Sequence, residues 1–349
     1  MDDFDLFERM KFMKKEYLCC LHQWKFWLVG LLISFFFSCT DNTKPFFELV
    51  SSRDSGITFR NAITETDSLN VLVFEYIYNG GGVGVGDFNN DGLIDIFFSG
   101  NQVPCKLYIN KGDFKFLDVT SETGIETPHW STGVALVDIN ADGLLDIYLS
   151  TISPLKKESA PNQFFINQGI KNALPSFKEV AFEMGLADRG YTTQAVFFDY
   201  DNDGDLDCYL LTNALEGYNR SLPFGQRKDG LGKSTDRLYR NDGFQENNLP
   251  VFADVSKEAG ITIEGWGLGI GVSDFNQDGW MDVYCANDFQ SNDLLWINNQ
   301  DGTFTNQIGE MLQHQSANSM GMDIADINND GLLEIVNLDM MPEDNLRQK

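Results

Sequence analysis

The stretch DYDNDGDLD, Asp199–Asp207, places five aspartates on alternate positions of a nine-residue run. Carboxylates this close repel one another unless something offsets their charge. The run has company. DFNNDGLID occupies Asp87–Asp95, DINADGLLD Asp138–Asp146, DFNQDGWMD Asp274–Asp282 and DINNDGLLE Asp326–Glu334. These are five copies of D-x-[DN]-x-D-G-x-x-[DE], starting 51, 61, 75 and 52 residues apart. Self-similarity at such spacing marks a repeat architecture, in which each unit is one supersecondary block.

The flanks repeat as well. Each copy follows an apolar, small-residue run: GVGVGD, GVALVD, AVFFD, GIGVSD or GMDIAD. Each runs on into a second, such as IDIFFSG, LDIYLS or MDVYCAN. Four copies continue to a third, KLYIN, QFFIN, RLYRN or LLWIN, and three of those to a fourth, FKFLDV, FKEVA or VFADV. Short β-branched and aromatic segments bounded by Gly, Asn and Asp read as strands. Four antiparallel strands per unit is one blade of a β-propeller, so the expected fold is all-β. The extra length of the third unit falls in a polar, Gly-rich insertion, EGYNRSLPFGQRKDGLGKSTD.

The motif opens like an EF-hand loop, with oxygens at positions 1, 3 and 5 and Gly at 6. Position 12 from Asp199 is Leu210 rather than a bidentate Glu, and the flanks are strands, so it is not an EF-hand. The carboxylate at position 9 closes a shorter loop. Calcium takes about six to eight oxygens at about 2.3–2.6 Å. The expected ligands in the third copy are Asp199, Asp201, Asp203, the carbonyl of Asp205, and Asp207. In the first they are Asp87, Asn89, Asp91, the carbonyl of Leu93, and Asp95. The second offers Asp138, Asn140, Asp142, Leu144 and Asp146. The fourth offers Asp274, Asn276, Asp278, Trp280 and Asp282, and the fifth Asp326, Asn328, Asp330, Leu332 and Glu334. Hard oxygens without His or thiolate argue against zinc or copper. Any one copy alone reads equally as an Asx-type turn with no metal. Five copies at equivalent places favour up to five Ca²⁺.

The chain has 349 residues and a formal net charge of −27. That acidity argues against a nucleic-acid partner. A 42% hydrophobic content is enough for a packed core. Near the N-terminus, Arg9, Lys11, Lys14, Lys15 and Lys25 precede the apolar run FWLVGLLISFFF, Phe26–Phe37. Its length fits the core of an export signal better than a bilayer span. The following FFSC resembles a bacterial lipoprotein signal, which implies residues 1–39 as signal and lipidation of Cys39. The alternatives are an ordinary signal peptide or an uncleaved anchor, and Met13 is a second candidate start. Beyond Cys39 only Cys105, Cys208 and Cys285 remain, too few for a disulfide framework and expected as buried apolar residues.

The repeats resemble the FG-GAP/VCBS repeats of integrin α-type propellers. The runs NGGGVGVGDFNNDGLIDIFFSGN, LYRNDG…FADVSKEAGI and VYCANDFQSNDLLWINNQDGTF are closer still to cartilage-acidic-protein-like bacterial lipoproteins, which often carry an ASPIC/UnbV domain further along. The similarity covers about residues 45–349. It implies a seven-bladed ring and a binding rather than catalytic role. Two departures stand out. Only five loops are present, and the fifth unit shows no clear third or fourth strand. FFELVSSRDSGI near the start resembles an outer strand plus linker whose partner is missing. A propeller truncated at the C-terminus is therefore expected over residues 40–349, with a five-bladed ring as the alternative.

Loops between first and second strands place the start of each first strand on the opposite face. Eight residues before each motif stand Asn79, Trp130, Tyr191, Trp266 and Asn318. Trp130, Tyr191 and Trp266 are candidate ligand-binding residues for a glycan or a protein; inter-blade packing is the competing reading. The neighbouring Asn101, Asn213, Asn287 and Asp288 are either ligand hydrogen-bonders or strand terminators. GGGVGVG leads into a hairpin rather than a helix, which excludes a dinucleotide loop. His129 and His314 stand without a nucleophile or carboxylate pattern around them, and no catalytic residue is assigned. The expected function is a calcium-binding, non-catalytic scaffold, exported and lipid-anchored at the bacterial outer membrane, facing the periplasm or the cell surface. A polysaccharide-lyase-like propeller or a truncated remnant are the alternatives.

Overall fold

The computed structural model describes residues 46–154, 160–214, 226–245, 248–288, 291–316 and 318–340. The segment read as an export signal, with Cys39, lies outside them. The chain divides into two units between Val50 and Ser51. In the first, described residues 46–50 form no strand, and Phe46, Phe47 and Leu49 are exposed.

From Ser51 onward the structure is all-β, with only one-turn helices between sheets: α1 (Ser52–Ser55), α2 (Ala181–Met184) and α3 (Ile308–Met311). Four antiparallel four-stranded sheets follow one another. The first holds β1 (Val83–Gly86), β2 (Asp95–Phe98), β3 (Lys106–Asn110) and β4 (Phe116–Asp118). The second holds β5 (Trp130–Val137), β6 (Asp146–Ile152), β7 (Gln163–Lys171) and β8 (Leu174–Glu179). The third holds β9 (Thr192–Phe198), β10 (Asp207–Thr212), β11 (Arg237–Phe244) and β12 (Pro250–Asp254). The fourth holds β13 (Gly267–Ser273), β14 (Asp282–Asn287), β15 (Leu294–Asn298) and β16 (Phe304–Asn306). A fifth sheet consists of β17 (Ser319–Ala325) and β18 (Glu334–Asp339) alone among the described residues. The sequence showed no fourth strand for the fourth unit. β16 fills that place with three residues, too short for an alternating pattern to register.

Second strands such as β6, β10 and β14 are buried along their whole length, because each sheet is covered on both faces by its neighbours. That explains why they read as unbroken apolar runs. There is no single central core; each gap between sheets has its own. Phe97, Leu107 and Ile109 meet Ile147, Leu149 and Phe165 between the first two sheets. Tyr148, Phe164 and Ile166 meet Cys208, Leu210 and Phe252 in the next gap. Tyr209, Leu211 and Leu238 then meet Val283, Cys285 and Trp296. Each such side chain contributes about 1.5–3 kcal/mol on burial. The three described cysteines are free and buried.

First strands pack side by side, β1 on β5, β5 on β9, β9 on β13 and β13 on β17. The crowding there explains the glycines of GVGVG and GIGVS: a Cβ on Gly84 would lie 3.0 Å from Val134 Cγ1. The linkers dock by a repeated device. Gly124 and Gly185, both in the left-handed region, sit so close to the carbonyls of Phe177 and Phe252 in the next sheet that a Cβ would approach to 2.7 and 2.6 Å. The end sheets each keep an exposed apolar face, with Val83 and Val85 on β1 and Val336 and Leu338 on β18.

Candidate metal centre

All five acidic loops join a first strand to a second, and position 9 is always the first residue of the second strand. It pairs across the hairpin with the last residue of the first strand, as Phe198 does with Asp207. The loop framework is the same in each copy. The position-1 carboxylate accepts from the backbone N–H of positions 5 and 6, as Asp199 does from Asp203 at 3.2 Å and Gly204 at 3.0 Å. The corresponding pairs on Asp87, Asp138, Asp274 and Asp326 lie between 2.8 and 3.1 Å. Position 5 in turn accepts from the N–H of position 7, whose carbonyl was the expected ligand: Leu93, Leu144, Asp205, Trp280 and Leu332.

The Gly at position 6 has φ of +84° to +96° in all five loops, the left-handed region where a Cβ is disfavoured. Position 4 is left-handed too, at +52° to +61°, in Asn90, Ala141, Asn202, Gln277 and Asn329. Two left-handed residues turn the chain sharply at each loop, but among the described residues carboxylate oxygens converge only in the third, from positions 1, 3 and 9. The second was not expected, since only Asn among these residues favours that region.

Position 9 is buried in the first four copies. Its two oxygens accept from the N–H of position 2 and from the N–H of an asparagine in the third strand. For Asp207 the donors are Tyr200 at 3.0 Å and Asn241 at 2.8 Å. Asn110, Asn167 and Asn298 serve Asp95, Asp146 and Asp282 in the same way, at 2.7 to 2.8 Å. These asparagines are the last letters of KLYIN, QFFIN, RLYRN and LLWIN. Their recurrence was visible, but nothing in the sequence tied them to the loops.

The copies differ at position 3. Asn89, Asn140 and Asn276 each turn an amide N–H onto the position-5 carboxylate, at 2.9 to 3.0 Å. Asn328 donates to Glu334 instead, at 2.8 Å. The third loop has Asp201 there and no such donor. Carboxylate oxygens of Asp199, Asp201 and Asp207 converge to within 4.8 Å of one another. Buried oxygens of Asp201 and Asp205 have no hydrogen-bond partner among the described residues. Burial pushes Asp207 up to about 7, against the pull of its N–H donors, and nearby Asp201 and Asp205 push it further. Burial and the neighbouring Asp203 raise Asp205 to about 6. Burial likewise lifts Asp146 to about 7 and Asp95 to about 6. Three converging carboxylates with unmet oxygens fit a hard cation.

The opposite ends of β5, β9, β13 and β17 border a cavity of about 490 Å³, lined by the second to fifth sheets and by the segment that precedes β1. Of the three aromatic candidates there, Trp130 lines the cavity wall. It is nearly buried, packed edge-to-face on Phe74 at 5.7 Å and clustered with Leu69, Ile77 and Ile152. Trp266 is nearly buried as well. Tyr191 is half-buried, with Lys233 Nζ 5.9 Å from its ring centre. Asn101 spends its amide N–H groups on the carbonyls of Gly80 and Ser131. Tyr76 was missed by the sequence reading; its hydroxyl donates to Asp288 at 2.8 Å across the cavity mouth.

FG-GAP-like repeats match residues 87–149 and 274–336, the segments that hold the first, second, fourth and fifth loops. The chain thus carries FG-GAP-like repeats in two places. The cartilage acidic protein 1 of Xenopus tropicalis is 28% identical over 208 residues, and that of Homo sapiens 29% over 211. Each alignment covers 59% of this chain and 28% of the relative, so the match spans little more than a quarter of those proteins. A solved lectin from Agrocybe aegerita aligns over 73% of both chains at 16% identity, with a TM-score of 0.31. Its four-stranded antiparallel sheets are consistent with FG-GAP propeller blades.

Proposed function

We propose that this chain is a calcium-binding, non-catalytic β-propeller scaffold of the cell envelope, lipid-anchored through Cys39, that binds a glycan or a protein. The observation that carries the reading is the third loop. There, three carboxylates converge with no salt bridge to them among the described residues, and two buried oxygens of the loop have no hydrogen-bond partner among those residues. Seventeen acids fall within the five motifs of a chain whose net charge is −27. Bound calcium would supply the missing positive charge and fix each hairpin at the base of its second strand. Asp199, Asp201, Asp203 and Asp207 would hold it in the third loop, with the Asp205 carbonyl. In the loops with Asn at position 3, the amide would turn its oxygen inward and release the position-5 carboxylate. The absence of a nucleophile–base constellation in the sequence supports binding over catalysis.

A thermal melt of the full-length chain in millimolar Ca²⁺ and again in EGTA tests this. A ligand that binds only the native state raises the midpoint. A large calcium-dependent rise is expected. A cooperative melt that ignores calcium would reduce the loops to acidic hairpin turns.

A further inference from the structure

We propose that the cavity between the segment before β1 and the strands β5, β9, β13 and β17 is a binding site for one uncharged, polyhydroxylated unit, a neutral sugar residue. This rests on the scaffold reading above and names the ligand class and the place. At about 490 Å³ the cavity falls within the range of about 300–1,000 Å³ typical of small-molecule sites.

Charge decides the class. The chain carries −27, yet none of the residues lining this cavity is Asp, Glu, Lys, Arg or His. An ammonium ligand would find no carboxylate among the lining residues, and Asp288, bonded to the lining Tyr76, is buried. A carboxylate or phosphate would find no cation and would enter against the field of the whole molecule. A neutral ligand meets neither obstacle.

The wall is rich in neutral hydrogen-bonding groups. β1, β5, β9, β13 and β17 each have a single partner within their sheet, so alternate peptide groups point away from it. Gly133, Gly269 and Gly321 of these strands line the cavity and bring no side chain to it. Thr132 and Thr193 donate their hydroxyl hydrogens to the carbonyls of Thr192 and Gly267, which leaves lone pairs free to accept. Gln194 is exposed, and its side-chain amide makes no hydrogen bond among the described residues. Mixed donors and acceptors of this kind suit hydroxyls, which are both at once. Phe74, Trp130 and Met322 supply apolar wall for the C–H face of a sugar ring.

Gly321 gives the test. It lines the cavity, its backbone is not left-handed, and a Cβ there meets no atom within 4 Å. Gly321→Leu therefore adds side-chain bulk at the cavity lining from a position where a Cβ displaces no atom. Gly309, in α3, is equally open but lies away from the cavity, so Gly309→Ala is the control. Full-length, calcium-loaded protein is titrated with glucose, galactose, mannose and glucuronate, followed by saturation-transfer NMR and calorimetry. At least one neutral sugar is expected to bind about tenfold or more tightly than glucuronate. Gly321→Leu should weaken that binding about tenfold or more with an unchanged melting midpoint, and the control should not. If Gly321→Leu lowers the midpoint, Gln194→Ala on the exposed side chain reads the same loss. No binding of any neutral sugar, preference for glucuronate, or binding that survives both cavity variants overturns the proposal. Calcium stabilisation without sugar binding sinks this inference alone; sugar binding without calcium stabilisation sinks the metal reading alone.

Discussion

The side-chain amide of Asn167 donates to the carbonyl of Phe88, 3.1 Å away and 79 residues earlier in the chain. Phe88 is position 2 of the first loop, while the backbone N–H of the same asparagine donates to Asp146 of the second. Asn298 repeats the arrangement at 2.7 Å, joining Tyr200 of the third loop to Asp282 of the fourth. One residue type thus ties the first loop to the second and the third to the fourth, whereas Asn241 donates its amide within the third loop, to Leu206. Shaping one loop supports the next.

Asn298 is buried, so removing its side chain leaves the Tyr200 carbonyl without its donor. Asn298→Ala is expected to cost about 1–3 kcal/mol. It should also lower calcium affinity at both the third and fourth loops. Asn110 donates its amide only within its own loop, to Ile94, so Asn110→Ala should cost less and affect one site. Chemical denaturation in calcium and in EGTA measures both effects. Equal losses for the two variants would refute the coupling.

Asp201 is the one position-3 residue without an amide. Asp201→Asn gives the third loop the residue that the other four carry. In EGTA it should relieve repulsion among Asp199, Asp201 and Asp207 and raise the midpoint by about 2–4 °C. In calcium it should bind more weakly, because a charged ligand has become a neutral one. The variant is therefore more stable than the parent without calcium and gains less from it. A variant less stable in EGTA would show that the convergence carries no electrostatic strain.

Much of this arrangement was legible in the sequence because identical motifs recur at equivalent places. DFNNDGLID and its four counterparts gave the hairpins, and the apolar runs gave four strands in three units, three in the fourth and two in the fifth. What escaped depends on tertiary partners. The YIN-type asparagines look like strand ends until their loops are seen beside them. Ala141 and Gln277 carry no sign of their left-handed backbone, which the loop imposes. β16 is too short to show a period. The segment before β1 has apolar residues without helix or strand periodicity, since its backbone bonds to local turns, as Val73 and Phe74 do to Asn70.

Asp236 is a buried carboxylate outside the loops. It accepts from the N–H of Thr212 at 2.8 Å and from the hydroxyl of Tyr209 at 2.9 Å. Burial outweighs these donors and raises it from 3.8 to about 6. A folded-state value above the unfolded one means that protonated Asp236 stabilises the fold. That contribution is complete below about pH 4 and is lost as the pH rises through about 6. The shift corresponds to about 3 kcal/mol. The second sheet places Asn162 at the equivalent point, accepting from Thr151 and donating to Tyr148. Asp236→Asn should therefore fold and lose the pH-dependent part of its stability between about pH 4 and 7 relative to the parent. Urea denaturation of both proteins across that range, in saturating calcium, measures the difference. Parallel pH curves would mean that Asp236 does not titrate in this window.

Tyr76 ties the segment before β1 to the far side of the cavity mouth. Its hydroxyl donates to the nearly fully buried Asp288, and burial with that carboxylate beside it raises the tyrosine well above its ordinary value. Ile77 is fully buried beside it, and Phe74 packs on Trp130, so the segment has apolar anchors as well. Tyr76→Phe keeps the ring and removes the hydrogen bond. A bond to a charged group contributes about 1.5–3 kcal/mol. Local opening should then become easier by about that amount while the global midpoint moves little, since the sheets do not depend on this contact. Hydrogen exchange of residues 69–79 measures it. Faster exchange there, with unchanged protection in β6, β10 and β14, is the expected result. Unchanged exchange in the segment would show that its apolar anchors hold it without the Tyr76–Asp288 bond.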